Sequence, residues 1–261
     1  MYSQFVSLLG KRPTNEDQHD IIENMNGADA GKKRFNFYGL YDGHGGKEVS
    51  DYIKKNLSAY FIRSDTKYSP SDNKYAKYIK KVYNHIQNKL VNDNKLISTH
   101  TGSTALTVMI SNNKIYVVNL GDSRTVLCNK YCIAVPLTKD HKPNMYYERS
   151  RIIAGGGEIV PDGGDWRVCG LSVSRAFGDV DAKGFVIQDP DVYKYEIQKK
   201  DKFIIMGCDG LWDVLSNQDA VDFVVEKMDT APKNNVAKQL GEFAIKSGST
   251  DNITVIIIFF I

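Results

Sequence analysis

Three apolar stretches of the chain each end in an aspartate that has a glycine beside it. The stretches are FYGLYD, YVVNLGD and FIIMGCD, and they end at Asp42, Asp122 and Asp209. A fourth acid, Asp251, begins the last apolar run in STDNITV. One aspartate at a strand end is ordinary turn chemistry. If neighbouring strands bring several of them to one sheet edge, however, the carboxylates converge and require a cation to neutralise them.

The ligand types indicate which cation this would be. All the candidate ligands are oxygens, which suit Mg²⁺ or Mn²⁺ better than zinc. Glycine lets the backbone approach closely, so the carbonyl of Gly43 can also be a ligand. Two such ions about 4 Å apart would hold a water between them and lower its pKa, which makes a nucleophile at neutral pH. Asp213 lies one helical turn after Asp209 and, with Asp122, could complete a weaker third metal site.

Basic and protic groups stand close to these acids in sequence. The Arg12 guanidinium is shaped to bind two oxygens of a phosphate, although its spacing slightly favours a surface ion pair with Glu16. His44 follows Asp42 by two residues, and an imidazole can protonate a leaving alkoxide. A histidine in a turn is usually a surface residue, but its place between Gly43 and Gly45 in a cluster of acids favours a chemical role.

Composition excludes several other classes of protein. The chain has 261 residues and a net charge of +3, with acids and bases interspersed, so we expect no nucleic-acid partner. No signal peptide opens the chain and no apolar run is long enough to span a membrane. The 4 cysteines form no C-x-x-C pair, which favours a reducing compartment. We expect one domain over residues 1–261, a monomer, and a cytoplasmic or nuclear location.

Strand patterns occur in runs and helix patterns in pairs. The predicted strands are 4–10, 19–24, 34–42, 104–111, 114–122, 124–129, 202–209 and 253–260. The predicted helices are 46–62, 72–95, one from Pro143 to Gly155, 217–228 with Asn217 as N-cap, and 233–247. Short connections between strands favour antiparallel sheets. The pattern predicts an α+β fold in which two packed sheets carry helices on their outer faces.

The motifs, taken together and in order, resemble one family. They are RPTNED, YDGHGG, TGSTAL, VNLGDSR, LTKDHKP, RIIAGGGEI, LSVSRAFGD, FIIMGCDGLWDVLSNQDAV and STDNITV. They are similar to those of the metal-dependent protein serine/threonine phosphatases of type 2C, over residues 7–260. The resemblance implies a four-layer αββα sandwich with two central antiparallel sheets, flanked by helix pairs.

The resemblance also implies roles for the candidate residues. They are Asp42, the carbonyl of Gly43, Asp209 and Asp251 as ligands of two Mg²⁺ or Mn²⁺ ions, Glu16 as the acid that holds metal-bound water, Asp122 and Asp213 with Asp209 as a third metal site, Arg12 as the phosphate-binding residue and His44 as the general acid. Arg175, in the motif SVSRAFGD, is interpreted as a structural residue or as one that supports a residue of the site.

The implied activity is hydrolysis of phosphoserine and phosphothreonine monoesters in protein substrates. A water that bridges the metals would attack phosphorus, so no covalent intermediate is expected. One alternative is an inactive pseudophosphatase that acts as a binding module; it predicts a substituted metal acid, and none is substituted. A second is a two-metal nuclease or a hydrolase of small phosphoesters, which predicts a different motif order or a basic groove.

Overall fold

The computed structural model describes residues 1–25, 35–64, 73–93, 99–230 and 234–260. The strands are β1 (Tyr2–Leu8), β2 (Gln18–Met25), β3 (Phe35–Tyr41), β4 (Gly43–His44), β5 (Gly102–Ser103), β6 (Ala105–Ser111), β7 (Lys114–Leu120), β8 (Arg124–Cys128), β9 (Ala134–Pro136), β10 (Val160–Asp162), β11 (Asp165–Arg167), β12 (Phe177–Gly178), β13 (Asp191–Glu196), β14 (Phe203–Gly207) and β15 (Ile253–Phe259). The helices are α1 (Glu48–Ser64), α2 (Asn73–Asp93), α3 (Tyr146–Ala154), α4 (Asp209–Trp212), α5 (Asn217–Thr230) and α6 (Val236–Lys246), with a 3-10 turn at Val180–Ala182.

Two 5-stranded antiparallel sheets form the centre of the molecule. Their strand orders are β1-β15-β14-β8-β9 and β13-β7-β6-β3-β2. Strand β15 shows why both faces are apolar. Ile256 and Ile258 pack between the two sheets, whereas Val255 and Ile257 pack against α5 and α6 on the outer face. Helices α1 and α2 cover the other sheet in the same way. The predicted four-layer αββα sandwich is therefore confirmed.

The short elements depart most from the sequence prediction. Strands β4, β5 and β9 to β13 were not predicted, because runs of 2 to 6 residues carry little periodic signal. The segment between the helices predicted at 46–62 and 72–95 lies largely outside the described residues. No helix in the described ranges has both the length and the hydropathy needed to span a bilayer.

The predicted N-cap of α5 is wrong by one residue. Ser216 Oγ accepts a hydrogen bond of 3.1 Å from the Asp219 backbone N–H, and Asp219 Oδ2 accepts one of 3.2 Å from the Ser216 N–H. This reciprocal pair is a capping box, so Ser216 is the N-cap. Asn217 lies inside the first turn, where its Oδ1 accepts a hydrogen bond of 2.7 Å from Arg124.

A buried ion network fastens α3 to the loop between β11 and β13. Glu148 of α3 is 3% exposed and accepts hydrogen bonds from Arg151 at 2.9 Å, Ser174 at 2.8 Å and Arg175 at 3.0 Å. Arg175 also donates to the Asp191 carboxylate at 3.2 Å. Burial alone would raise the pKa of Glu148, but the hydrogen bonds from Arg175 and Arg151 outweigh it and hold the pKa at about 2. Arg175 thus connects α3 to β13 through Glu148 and Asp191.

We expect Glu148→Gln to lower the free energy of unfolding at pH 7 by about 2 kcal/mol, because Arg151 and Arg175 lose the buried carboxylate that they share. The pKa of Glu148 is about 2 in the fold against an ordinary 4.5. Its stabilisation is therefore complete above pH 4.5 and is lost as the pH falls towards 2, so the difference between variant and wild type should shrink over that range.

Urea unfolding at a series of pH values measures this effect. Glu226→Gln, in an exposed pair with Lys227, is the matched control and should change stability by less than about 0.5 kcal/mol. A Glu148→Gln difference that stays constant from pH 7 to pH 3 would contradict the interpretation.

Candidate metal centre

The sheet topology brings the strand-end aspartates together. Strands β3 and β7 are both antiparallel to β6, so they run in the same direction and deliver Asp42 and Asp122 to one edge. Strands β14 and β15 are antiparallel neighbours, so the end of one and the start of the other place Asp209 and Asp251 at a common edge of the second sheet. The two edges meet at one cleft.

The cleft has a volume of about 320 Å³ and combines acids, a base and a histidine. Among the predicted site residues it is lined by Arg12, Glu16, Asp42, Gly43, His44, Asp122, Asp209 and Asp251. Asp42, Asp122 and Asp209 each offer a carboxylate oxygen within 4.8 Å of the others. The carboxylates that were predicted to converge therefore do so in the structure.

Small polar side chains fix the acids of the first sheet. Thr104 Oγ1 accepts a hydrogen bond of 3.1 Å from the Asp42 backbone N–H, and the Thr104 N–H donates to the Asp42 carbonyl at 2.9 Å. Thr104 Oγ1 also lies 3.1 Å from the hydroxyl of Ser123, which follows Asp122. Both Thr104 and Ser123 are fully buried. One threonine thus joins the ends of two strands that carry candidate ligands.

Asn252 fixes the N-terminal loop over the second sheet. Its Oδ1 accepts a hydrogen bond of 2.9 Å from the Glu16 N–H, and its Nδ2 donates to the carbonyls of Leu9 at 2.9 Å and Thr14 at 3.0 Å. The helix turn after Asp209 approaches Asn252 itself so closely that a Cβ at Gly210 would overlap the Asn252 carbonyl oxygen. Glu16, Asp209 and Asp251 are thereby held around one point.

Arg12 pairs with an acid of the cleft and not with its sequence neighbour. Its Nη2 lies 2.6 Å from Asp251 Oδ2. The surface ion pair with Glu16, which the spacing slightly favoured, is not formed. Glu16 instead accepts hydrogen bonds from Thr14 Oγ1 at 3.2 Å and from the Gly46 N–H at 3.1 Å. The guanidinium therefore stands at the rim of the carboxylate cluster with 57% of its side chain exposed.

Asp213 is the predicted site residue that does not line the cleft. Its carboxylate accepts a hydrogen bond of 2.8 Å from Lys142 Nζ. Asp213 is still close enough to Asp209 to add to the charges that raise the pKa of that residue. The ammonium of Lys142 thus lies beside Asp213, and the third metal site of Asp122, Asp209 and Asp213 stays a prediction.

The clustered carboxyls are held in an environment that opposes their ionisation. Removal from water raises the pKa of Asp209 to about 7, with further contributions from the charges of Asp213 and Asp251. The same causes, burial first and then neighbouring acids, raise the pKa of Asp42 and Asp122 well above the usual range. Groups with strongly raised pKa values that meet in a cleft are typical of a functional site.

The donor set fits divalent cations. Both carboxylate oxygens of Asp122 and Oδ1 of Asp17 are buried and have no hydrogen-bond partner within the described part of the chain. Unpaired buried carboxylate oxygens are costly unless a cation or a proton balances them. Oxygen ligands from several aspartates suit a hard ion such as Mg²⁺ or Mn²⁺. Asp42, Asp122 and Asp209 are the residues that would hold it.

Sequence reasoning assigned no role to two acids of this region. Asp17 is 5% exposed, and its Oδ2 accepts a hydrogen bond of 2.6 Å from Thr254 of β15. It also offers an oxygen to a second group of possible ligands with Asp42 and the Cys208 thiol. Asp179 contacts His44 at 2.9 Å. The acid pair in the motif RPTNED was the available signal for Asp17.

For the metal-free protein, we expect Asp209→Asn to raise the free energy of unfolding by about 2 kcal/mol at pH 8, because it removes a charge that the fold opposes. The pKa of Asp209 is about 7 in the fold and ordinarily 3.8. As the pH rises from about 4 to about 7, the unfolded chain loses this proton first and the folded state is progressively destabilised. The gain should therefore vanish near pH 4.

Thermal unfolding after exhaustive chelation, followed from pH 4 to pH 8, measures this gain. Asp222→Asn, at an exposed position of α5, is the matched control and should change nothing at either pH. Equal stability of wild type and Asp209→Asn at pH 8 would show that the acid cluster carries no such penalty.

Comparison with known proteins adds an independent line of evidence. Residues 3–253 match the family model described as protein phosphatase 2C. The rice (Oryza sativa subsp. japonica) protein named "Probable protein phosphatase 2C 7" is 39% identical over 98% of this chain and 65% of its own length. The Arabidopsis thaliana protein named "Probable protein phosphatase 2C 69" is 39% identical over 98% of this chain and 69% of its own length. The chain therefore spans only part of these relatives.

Solved structures share the fold. A serine-threonine phosphatase 2C from Toxoplasma gondii superposes with a TM-score of 0.80 at 25% identity, and the match covers 99% of this chain and 94% of that one. A C. elegans sex determining protein superposes with a TM-score of 0.88 at 26% identity, over 99% of this chain and 64% of that one. With its sequence matched from residue 3 to residue 253, the chain belongs to the protein phosphatase 2C family.

Proposed function

We propose that the chain hydrolyses phosphoserine and phosphothreonine monoesters in proteins and that it requires Mg²⁺ or Mn²⁺, with two ions in the cleft. The observation that carries the proposal is the carboxylate cluster. Asp42, Asp122 and Asp209 bring oxygens within 4.8 Å of one another in a cleft that Arg12 and His44 also line. Membership of the protein phosphatase 2C family supports the same activity.

The cations that the carboxylates would hold and the guanidinium of Arg12 would together bind the phosphate of the substrate. Asp42, Asp122 and Asp209 would hold the divalent cations, which would supply positive charge and lower the pKa of a bound water so that it can act as the nucleophile. Arg12 uses Nη2 for Asp251, but a guanidinium has five N–H donors in a planar fork, so others can bind the phosphate oxygens. Positive charge aimed at the transferred phosphoryl group provides most of the catalysis in reactions of this kind.

His44 is positioned to act on the leaving group. It lines the cleft, and 26% of its side chain is exposed. A serine or threonine oxygen is a poor leaving group unless it receives a proton as the P–O bond breaks. His44 would donate that proton.

A cysteine nucleophile is not part of the proposal. Cys208, the thiol next to Asp209 in sequence, is fully buried. Burial, followed by the charges of Asp17 and Asp42, raises the pKa of this thiol well above its ordinary value. A buried protonated thiol is a weak nucleophile, so a direct attack by water is the simpler route.

The proposal predicts metal-dependent release of phosphate from a phosphothreonine peptide. Activity should require added Mn²⁺ or Mg²⁺ and should be lost in EDTA. Asp209→Asn should lower kcat by about 100-fold or more, because it removes a ligand of the cation that would stabilise transition-state charge. Asp222→Asn should retain wild-type activity. Okadaic acid should not inhibit, as the family resemblance implies.

Two results would overturn the proposal in different ways. Phosphate release that survives EDTA, or that is unaffected by Asp209→Asn, would reject the metal-dependent mechanism. Absence of any hydrolysis, while isothermal titration shows that Mn²⁺ binds, would favour the pseudophosphatase alternative.

Arg12 provides a second test. Arg12→Ala should raise KM for the phosphothreonine peptide more than it lowers kcat, because it removes a contact made to the phosphate in the ground state as well as in the transition state. Arg12→Lys should restore only part of the affinity, since an ammonium cannot bind two oxygens at once. Steady-state kinetics of the two variants measures both effects. A KM equal to that of wild type in Arg12→Ala would exclude the phosphate-binding role.

A further inference from the structure

Asp179, an acid outside the cleft, contacts the cleft residue His44. The carboxylate oxygens of Asp179 lie 2.9 Å and 3.0 Å from Nε2 of His44. The Asp179 side chain is 3% exposed, against 26% for His44. His44 lines the cleft and Asp179 does not. The carboxylate therefore contacts the His44 ring from outside the cleft.

A small sheet brings the two residues together across the chain. Strands β4, β5 and β12 form a 3-stranded sheet in the order β12-β5-β4. Within it, His44 pairs with Gly102, and Gly102 pairs with Gly178. Asp179 follows Gly178 directly. The row of pairs thus sets the separation between the loop that carries His44 and the segment that carries Asp179.

Helix α2 holds this small sheet in place. Gln87 Nε2 donates a hydrogen bond of 2.8 Å to the Gly178 carbonyl, and Gln87 Oε1 accepts one of 2.9 Å from the Gly178 N–H. Phe177 is fully buried, and its ring stacks on Tyr83 of α2 with a centroid distance of 5.0 Å. The position of Asp179 is therefore fixed from the helical layer.

The residue between the two side chains has to be a glycine. A Cβ at Gly102 would overlap both Oδ2 of Asp179 and Nε2 of His44. The space that a side chain would take is the space in which the pair meets. Gly102 thus keeps the strand pairing and leaves room for the hydrogen bond.

The backbone of Asp179 is held in a costly conformation. Its φ is 48°, in the left-handed region, which costs a residue other than glycine about 1 kcal/mol. Its N–H donates to the Thr101 carbonyl at 3.2 Å, and its own carbonyl accepts from the Ala182 N–H at 3.0 Å. Backbone strain of this kind is common where a side chain must be aimed.

We propose that Asp179 is a positioning residue for His44, an inference that rests on the proposed function. By accepting a hydrogen bond from Nε2 it fixes the ring and leaves Nδ1 as the nitrogen that faces the substrate. As the attacking water forms its bond to phosphorus, the electron pair of the breaking P–O bond goes to the serine or threonine oxygen. That oxygen takes the proton from Nδ1, and the neutral ring keeps its other proton on Nε2, towards Asp179. A buried carboxylate that orients a histidine in this manner is known from hydrolases with unrelated folds.

The test compares two substrates that differ in their need for a proton. The leaving group of a phosphothreonine peptide is an alkoxide, which needs a proton from an acid. The leaving group of 2,4-dinitrophenyl phosphate is a stable phenolate, which does not. With Mn²⁺ present, Asp179→Asn should lower kcat for the peptide by about 10- to 100-fold, a fraction of the 10²–10⁴ that a general acid contributes. Its kcat for the dinitrophenyl ester should change by less than about threefold, since no acid is needed.

Variants of the partner residues separate positioning from a structural role. Asp179→Asn added to His44→Gln should cause no further loss on the peptide, because the carboxylate acts through the ring. Gly102→Ala places a methyl group between Asp179 and His44 without changing either residue. It should therefore also lower kcat for the peptide more than kcat for the dinitrophenyl ester. Asp181→Asn is the matched control, because Asp181 also pairs with a histidine, His100, at 2.9 Å but on the exposed surface. It should behave as wild type on both substrates.

A proton NMR spectrum of the chelated protein gives a readout that does not depend on activity. A downfield resonance from the Nε2–H of His44 should be present in wild type and in Asp181→Asn, and absent in Asp179→Asn and His44→Gln. Equal losses on both substrates, or multiplying losses in the double variant, would overturn the inference while the proposed function stands. A wild-type protein that hydrolyses neither ester would instead overturn the proposed function, and the inference with it.

Discussion

The convergence of carboxylates at the meeting edges of two sheets is the constraint on which the rest of the structure depends. Asp42, Asp122 and Asp209 bring carboxylate oxygens within 4.8 Å of one another, although burial and mutual repulsion oppose their charges. Such an arrangement persists only where the neighbouring structure over-determines it. Here the restraint comes from both sheets at once, since each acid stands at the end of a strand whose partners are buried on both faces.

The groups that hold the acids are neutral and small. Thr104 joins the strand ends next to Asp42 and Asp122. Asn252, which follows Asp251, binds the N-terminal loop that carries Glu16. Neutral braces fix position without adding counter-charge, so they leave the carboxylate oxygens available to cations. Arg12 differs, because its charge is at the rim and mostly exposed. The centre of the cleft is thus kept for ions and its rim for the substrate.

The sequence was informative where strand and acid follow each other directly. Asp42, Asp122 and Asp209 could be predicted to converge, because each ends a long apolar strand and such strands have few ways to pack. Pairing preferences could not be predicted in this way. Arg12 was slightly favoured to pair with Glu16, four residues away, but it pairs with Asp251, because Asn252 folds the N-terminal loop onto the last strand. Asp213 pairs with Lys142, a contact between segments that no local pattern connects, and its place at a third metal stays a prediction.

The shortest strands could not be predicted from the sequence, and they are the ones that place His44 beside Asp179. Strands of 2 residues, such as β4, β5 and β12, show no periodicity, so nothing in the sequence linked His44 to Asp179. Their pairing depends on Phe177 and Gln87, which anchor them to α2. The cleft is therefore assembled by two frames, the large sheets and the small sheet that α2 holds. The large sheets bring the carboxylates together, and the helical layer fixes the position of the histidine. Because the frames differ, the negative charge behind His44 is separated from the acids in front of it, and one carboxylate can orient an imidazole while the others remain free to bind cations.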